Sequence, residues 1–302
     1  MRAFLFPGQG SQYPGMGQDI LALGDKAAQR LQEAVAILGF PIDEVLCHGS
    51  EEDLRQTKVT QPAIFLHSVI LAEVMGDRFE PGMIAGHSLG ELSALTAGGA
   101  LSFEDGLRLV SLRASAMQKA CEEQASTMAA VLGLDDDKVV ALCHEVTHNP
   151  VDNKYAGQIV VAANFNCPGQ VVISGGPAAV ELAGLKASEA GCLKVVPLSV
   201  GGAFHSPYMQ SAANALQAAL DATKILTPRC PIYQNVAPTE GRLDPSLIRD
   251  GLSKQLTGPV LWTQTIRAML QGGATEFTEL GPGKVLQGLL RKIDRQAVFV
   301  QA

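Results

Sequence analysis

Residues 82 to 95 read "GMIAGHSLGELSAL". Met83, Ile84 and Ala85 make a short apolar run, Gly86 and Gly90 bracket Ser88 in the pattern G-x-S-x-G, and a helix-forming stretch follows from 89 to about 97. A bare G-x-S-x-G is common in glycine-rich chains, so the weight lies in its context. A strand before the serine and a helix after it are what a nucleophile elbow requires, with the glycines letting the backbone close a strained turn. The serine hydroxyl then stands at a helix N-terminus, where free N–H groups and the helix dipole stabilise an oxyanion. A serine that only caps the following helix has the same local pattern.

Outward from this turn the chain alternates between strand-like and helix-like runs. "AFLF" at 3–6 is a buried-strand candidate that stops at "PGQGSQYPGMG",. Residues 25–38 form an Ala/Leu-rich helical stretch, and "TQPAIFLHSVILAEVM" from Thr60 reads as a core helix with Pro62 in its first turn,. Later, "CPIYQNV" and "EFTELGPG" are strands running into polar turns. The alternation predicts an α/β layer on a parallel sheet. Between 126 and 199 the texture changes: "TMAAVLGL", "IVVAANFN", "QVVISGG" and "CLKVVPLSV" are β-rich, with helical stretches near 135–146 and 178–190. The order β-α-β-β-α-β predicts a ferredoxin-like unit, inserted because helix returns at "GGAFHSPYMQSAANALQAAL",.

Composition excludes several classes. The 302 residues are 47% apolar and 18% charged, with glycine and proline spread along the chain, which fits a compact globular protein,. A net charge of -7 argues against nucleic acid as a partner, since neutralising phosphates needs a basic surface,. Cys47, Cys121, Cys143, Cys167, Cys192 and Cys230 are widely separated and have no metal-ligand spacing, so they read as buried apolar residues in a reducing compartment,. "MRAFLFPGQG" is too short for a signal segment, and no uninterrupted apolar run reaches membrane-spanning length,. The expectation is a soluble, cytoplasmic protein that does not engage a membrane.

A nucleophilic serine needs a base. His48, His144 and His148 lie in polar stretches, His67 lies among apolar residues where a satisfied core histidine is expected, and His87 adjoins Ser88, pointing away from it or lining its pocket. His205, in "VGGAFHSPYM", follows a glycine pair after a strand and precedes a helix, a place where loops present functional side chains,. It is the best candidate. Arg113 lies on a helix opened by the capping-box-like pair Ser102 and Asp105, beside the stripe Leu109, Val110 and Met117,. A snorkelling surface arginine fits that placement as well as a buried one does.

"FPGQGSQYPGMG", "TQPAIF", "GHSLGE", "RASAMQ", "NFNCPGQVVISG", "GAFHSPYM", "QNV", "PVLW" and "ELGPGKVLQGLL" occur along the whole chain in order. In this the sequence resembles the malonyl-CoA:acyl-carrier-protein transacylases, free-standing acyltransferases of fatty-acid synthesis or trans-acting partners of polyketide synthases. The resemblance implies an α/β-hydrolase-like large domain, residues 1–125 and 199–302, interrupted by a ferredoxin-like small domain at 126–198. It implies Ser88 as nucleophile, His205 as general base, oxyanion-hole N–H groups from Gln9 and Leu89, and a Gln255 main-chain carbonyl orienting the histidine in place of a catalytic aspartate. Arg113 would clamp the free carboxylate of a malonyl group, for which guanidinium geometry is suited.

Phe204 would disfavour a 2-methyl branch, although a phenylalanine packing under the loop has the same sequence. Gln61, Asn166 and Asn235 match polar positions that line or support the family's site, and His87 and Met117 are further candidates for lining the substrate pocket. Ala114, where glycine is more usual, would add a methyl group near the pocket. The implied partners are malonyl-CoA and an acyl carrier protein, with no metal or redox cofactor and a monomeric chain. Lys284, Arg291, Lys292 and Arg295 are candidates for docking the acidic carrier, or equally a solvated basic helix. Competing functions are a hydrolase that releases stalled acyl groups, a transferase for a substituted malonyl unit, and a non-catalytic carrier-binding subunit.

Overall fold

The computed structural model describes residues 1–148 and 157–301. Strands β1 (Arg2–Phe6) and β2 (Met83–Gly86) are almost wholly buried and pair in parallel, Ala3 beside Met83 through Phe6 beside Gly86. Continuous apolar runs of this kind suit a sheet covered on both faces. Between them come α1 (Met16–Leu21), α2 (Asp25–Leu38), α3 (Ile42–His48), α4 (Glu51–Arg55) and α5 (Thr57–Met75). After β2 follow α6 (Gly90–Ala97) and α7 (Phe103–Glu123), the latter capped by the Ser102 hydroxyl, which accepts the Asp105 N–H at 3.0 Å,.

The chain then builds a separate four-stranded sheet from β3 (Thr127–Leu132), α8 (Asp136–His148), β4 (Val160–Cys167), β5 (Gln170–Gly175), α9 (Pro177–Glu189) and β6 (Lys194–Pro197). Its order is β4-β5-β3-β6 with antiparallel pairings, the ferredoxin-like arrangement. Helix α10 (Gln210–Ala222) returns to the large layer, followed by β7 (Ile232–Gln234), β8 (Ala237–Arg242), α11 (Pro245–Gln255), α12 (Trp262–Gln271), β9 (Glu276–Glu279), α13 (Val285–Ile293) and β10 (Val298–Phe299). The six-stranded sheet runs β10-β9-β1-β2-β7-β8, parallel except for the β7–β8 hairpin. That antiparallel edge was not expected. β8 is "APTEGR", mostly polar and partly exposed, so it carries no apolar period,.

One apolar cluster fills one face of the large sheet around α5, α6 and α7, a second packs Trp262, Ile266 and Leu290 on the other face, and a third lies under the small sheet. Strand β4 of the small sheet is tied to the segment between α11 and α12, where the Phe165 N–H donates to Val260 O at 2.9 Å and the Val260 N–H to Ala163 O at 2.8 Å.

Three expectations need correction. Helix α5 starts at Thr57, so Pro62 falls in its second turn; the Thr60 hydroxyl donates to Leu54 O and Gln56 O and carries the helix back past the expected start. By length and composition this helix with the turn that follows it (Thr57–Arg78) could cross a membrane, but 72% of its apolar window is buried in the protein's core. His67, on the same helix, is buried, yet neither ring nitrogen has a hydrogen-bond partner among the described residues, and burial pushes its pKa down to about 4. Asp19 acts on it only through its charge and no hydrogen bond is made, so it is not the satisfied histidine the sequence led us to expect. All six cysteines are unpaired, but only Cys143, Cys167 and Cys230 are buried.

Candidate active site

The turn after β2 is built by exclusion of side chains. A Cβ on Gly86 would lie 1.9 Å from the Gly90 main-chain carbon, and one on Gly90 only 2.0 Å from Phe6 O. Neither position admits any side chain, which lets the first turn of α6 close against β1 and β2. Ser88 between them is held at φ 52°, in the left-handed region that non-glycine residues avoid,. Two side chains hold it there. Its N–H donates to Asn235 Oδ1 at 2.7 Å, and its carbonyl accepts from Gln255 Nε2 at 3.0 Å. Asn235 Nδ2 also donates to Gly86 O at 2.6 Å, bracing both sides of the turn.

His205 is likewise held at a positive φ, 57°, in the loop before α10. Its Nε2 lies 2.8 Å from Ser88 Oγ and its Nδ1 2.9 Å from Gln255 O. A carbonyl can only accept, so Nδ1 carries the proton and Nε2 is free to take the one on Ser88. The carbonyl fixes the tautomer without a carboxylate. Burial, reinforced by the positive charge of Arg113, pushes the His205 pKa down to about 3, so the ring is neutral at pH 7,.

Arg113 is buried, not snorkelling, at 1% exposure. Nη1 donates to Gln61 Oε1 at 2.7 Å, and Nη2 donates both to Gln255 Oε1 at 3.0 Å and to Ser88 Oγ at 3.1 Å. All three acceptors are neutral, and among the described residues Nε has no partner. Burial lowers the Arg113 pKa to about 10, so the guanidinium stays charged at pH 7. Gln61 Nε2 in turn contacts Met117 Sδ at 3.3 Å.

These groups line one cavity of about 150 Å³. Gln9 and Leu89 face it, and among the described residues neither backbone N–H has a protein acceptor, leaving two donors from separate segments beside Ser88,. Phe204 lines the wall next to the base, with its carbonyl held by the Ser174 hydroxyl at 2.6 Å. His87 also lines it, its Nε2 donating to Asn166 Oδ1 at 2.9 Å and its ring lying edge-on to Trp262; burial keeps it neutral by lowering its pKa. Asn235 lies behind the wall. Ala114 is fully buried but does not line the cavity, so its methyl group leaves the pocket's outline unchanged. Lys284, Arg291, Lys292 and Arg295 lie outside the pocket and are exposed.

Sequence reasoning missed Glu91, Gln234 and the side chain of Gln255. Glu91 is fully buried; its Oε2 accepts the Asn235 N–H at 2.9 Å and its Oε1 accepts Gln234 Nε2 at 2.8 Å. It braces the residue that braces Ser88, and burial raises its pKa while these donors oppose the rise. The one available signal was an acid three residues past the serine on a helix otherwise without charge.

The acyl transferase domain matches residues 3–298. A malonyl CoA-acyl carrier protein transacylase of Haemophilus influenzae is 40% identical over 99% of this chain and 94% of its own length. A solved acyl carrier protein S-malonyltransferase from Vibrio cholerae superposes with a TM-score of 0.92 at 37% identity, covering 100% of this chain and 96% of that one. A solved complex of a type II polyketide-synthase acyl carrier protein with its malonyl transacylase gives 0.92 at 37% identity, covering 100% and 95%. With Ser88, His205, Arg113 and two unengaged N–H donors gathered at one cavity, and the acyl transferase domain matching nearly its whole length, the chain belongs to the acyl transferase family, alongside the malonyl CoA-acyl carrier protein transacylases.

Proposed function

We propose that this chain moves a malonyl group from CoA to the phosphopantetheine thiol of an acyl carrier protein through an acyl-serine. The observation that carries the reading is Arg113: a buried guanidinium with only neutral partners, within hydrogen-bond reach of the nucleophile. A charge buried this deeply is costly unless paired. The group that fits is a carboxylate one methylene beyond the acyl carbon being attacked, and acetyl has none. Relatives named for malonyl transfer support it.

Ser88 Oγ attacks the thioester carbon as Nε2 of His205 takes its proton, and the Gln9 and Leu89 N–H groups hold the oxyanion. The C–S bond breaks, the proton passes from His205 to the CoA sulfur, and a malonyl ester remains on Ser88. The carrier thiol then gives its proton to His205 and attacks the ester; Ser88 is regenerated. No metal or redox cofactor is required by this sequence of steps. Phe204 beside the base disfavours a 2-methyl branch. For the carrier, α13 and its two ends offer basic groups: Lys284, Arg291, Lys292 and Arg295 are exposed, and the helix packs on β4, whose Asn166 lines the cavity. We place the activity in the cytoplasm, in a monomer that engages neither membrane nor nucleic acid.

The test is intact-protein mass after brief exposure to malonyl-, methylmalonyl- or acetyl-CoA, followed by holo carrier protein. The expected result is a malonyl adduct, absent in Ser88→Ala, that moves to the carrier. Release of acyl groups to water with no malonyl adduct would instead make the chain a hydrolase.

A further inference from the structure

The free site holds Arg113 against its own nucleophile. Nη2 donates to Ser88 Oγ at 3.1 Å while that oxygen faces His205 Nε2 at 2.8 Å. An N–H donor on Oγ stabilises the resting hydroxyl more than the transition state, because the electron pair it binds is being drawn into the new bond; such an interaction raises the barrier. The same guanidinium also opposes the charge that His205 must acquire as it accepts the proton.

We propose that the carboxylate of the acyl donor switches on the Ser88–His205 pair: by occupying Arg113 it draws Nη2 off Ser88 Oγ and cancels the positive field on His205. This rests on the reading of Ser88 as nucleophile and Arg113 as the carboxylate site, and deepens it. Selection of a diacid then acts on the chemical step as well as on binding. An acetyl group that enters the cavity meets a serine still hydrogen-bonded to the guanidinium and a base still opposed by it.

The surroundings of His205 leave few other sources of such control. Among the described residues, the charged and titratable groups that face it are Arg113 from α7 and His87 from the turn after β2; its remaining polar neighbours are Ser88 and the main chain of Gln255 and Gly258. His87 is neutral and held by Asn166. Burial lowers the basicity of His205 first, and Arg113 adds to that effect. Glu91 bears on Arg113 through its charge and through Gln255, which lies between them, while Asn235 and Gln234 donate to its two oxygens.

The experiment separates the carboxylate from the acyl group. Full-length enzyme is treated with phenylmethanesulfonyl fluoride, a neutral reagent; the Ser88 Oγ–S bond forms as fluoride leaves and His205 takes the proton. Formate is titrated in at constant ionic strength, with chloride and acetamide as controls. A neighbouring charge moves a pKa by about 1–3 units, so formate should accelerate sulfonylation saturably, by roughly three- to tenfold, and move the acid limb of its pH profile upward. Arg113→Met, verified as folded by circular dichroism, should react faster than the unliganded wild type and be indifferent to formate. A formate-independent or formate-slowed wild-type rate with Ser88 labelled overturns this proposal alone. No labelling of Ser88 removes the nucleophile reading and this proposal with it.

Discussion

Replacing Asn235 by alanine should cost the enzyme more turnover than stability. The side chain is fully buried and makes two contacts with the elbow, accepting the Ser88 N–H at 2.7 Å and donating to Gly86 O at 2.6 Å. Each buried group left unpaired costs about 1–3 kcal/mol, so the pair sets a loss of about 2–6 kcal/mol if the turn stays as it is. It has a way to relax. Ser88 sits at φ 52°, and letting it fall to an ordinary backbone conformation returns about 1–3 kcal/mol of strain,. The net destabilisation should therefore be about 1–3 kcal/mol. Relaxation, however, moves Oγ away from His205 Nε2, and a misplacement of about 1 Å costs on the order of 10²-fold in rate.

Urea unfolding followed by the single tryptophan, Trp262, measures the first quantity, and steady-state malonyl transfer measures the second. KM for malonyl-CoA should stay within about twofold, because Arg113 is held by Gln61 and Gln255, not by Asn235,. Asn235→Asp, which keeps the acceptor for Ser88, should retain more kcat than the alanine variant. If Asn235→Ala loses the expected stability while kcat stays within twofold of wild type, the elbow is held by its glycines alone and the bracing argument fails.

His67→Leu should stabilise the protein, and more so in acid. The histidine is buried with a pKa of about 4 against 6.5 when unfolded, so the unfolded chain takes up the proton first as pH falls; its stability contribution is present above pH 6.5 and is lost on the way down to 4,. At pH 5 that loss is about 2 kcal/mol at 1.36 kcal/mol per unit, and unfolding midpoints of His67→Leu should lack it; equal pH dependence in both proteins would place the titration elsewhere. The same sign governs catalysis: His205 is active when neutral, so kcat/KM for malonyl-CoA should rise with pH through a limb near 3 and carry no histidine-like step near 6.5,. A step near 6.5 that disappears in no other histidine variant would contradict the burial argument. Lys284→Glu combined with Arg291→Glu should raise KM for the carrier protein by roughly fivefold at low salt with malonyl-CoA kinetics unchanged; an unchanged carrier KM would show that docking lies elsewhere.

Much of this molecule is legible in short windows of sequence because the forces involved are local. The glycines at 86 and 90 report a turn that no side chain could enter. Ser102 with Asp105 marks a helix start, and the run of α2 from Asp25 to Leu38 matches its Ala/Leu pattern. Strand and helix order in the small sheet follows from β-rich runs separated by helical ones. Matching motifs carried Ser88, His205, Arg113 and Gln255 as candidates.

What tertiary structure alone decided is partnership and burial, because each depends on groups far apart in the chain. Ser88 and His205 are 117 residues apart, and Arg113 and Gln255 are 142 apart. The parallel sheet and the hairpin beyond it bring them within hydrogen-bond distance. No local pattern separates a snorkelling Arg113 from a buried one; that depends on α5 and α11 closing over it with Gln61 and Gln255. Glu91 is an unremarked helix residue until β7 and the turn after it deliver Gln234 and Asn235 to its two oxygens. His67 looked satisfied because a buried histidine usually is, and only the packing around α5 shows that, among the described residues, no partner reaches it. Sterics and periodicity are written residue by residue, whereas the satisfaction of a buried polar group is a property of every element packed against it.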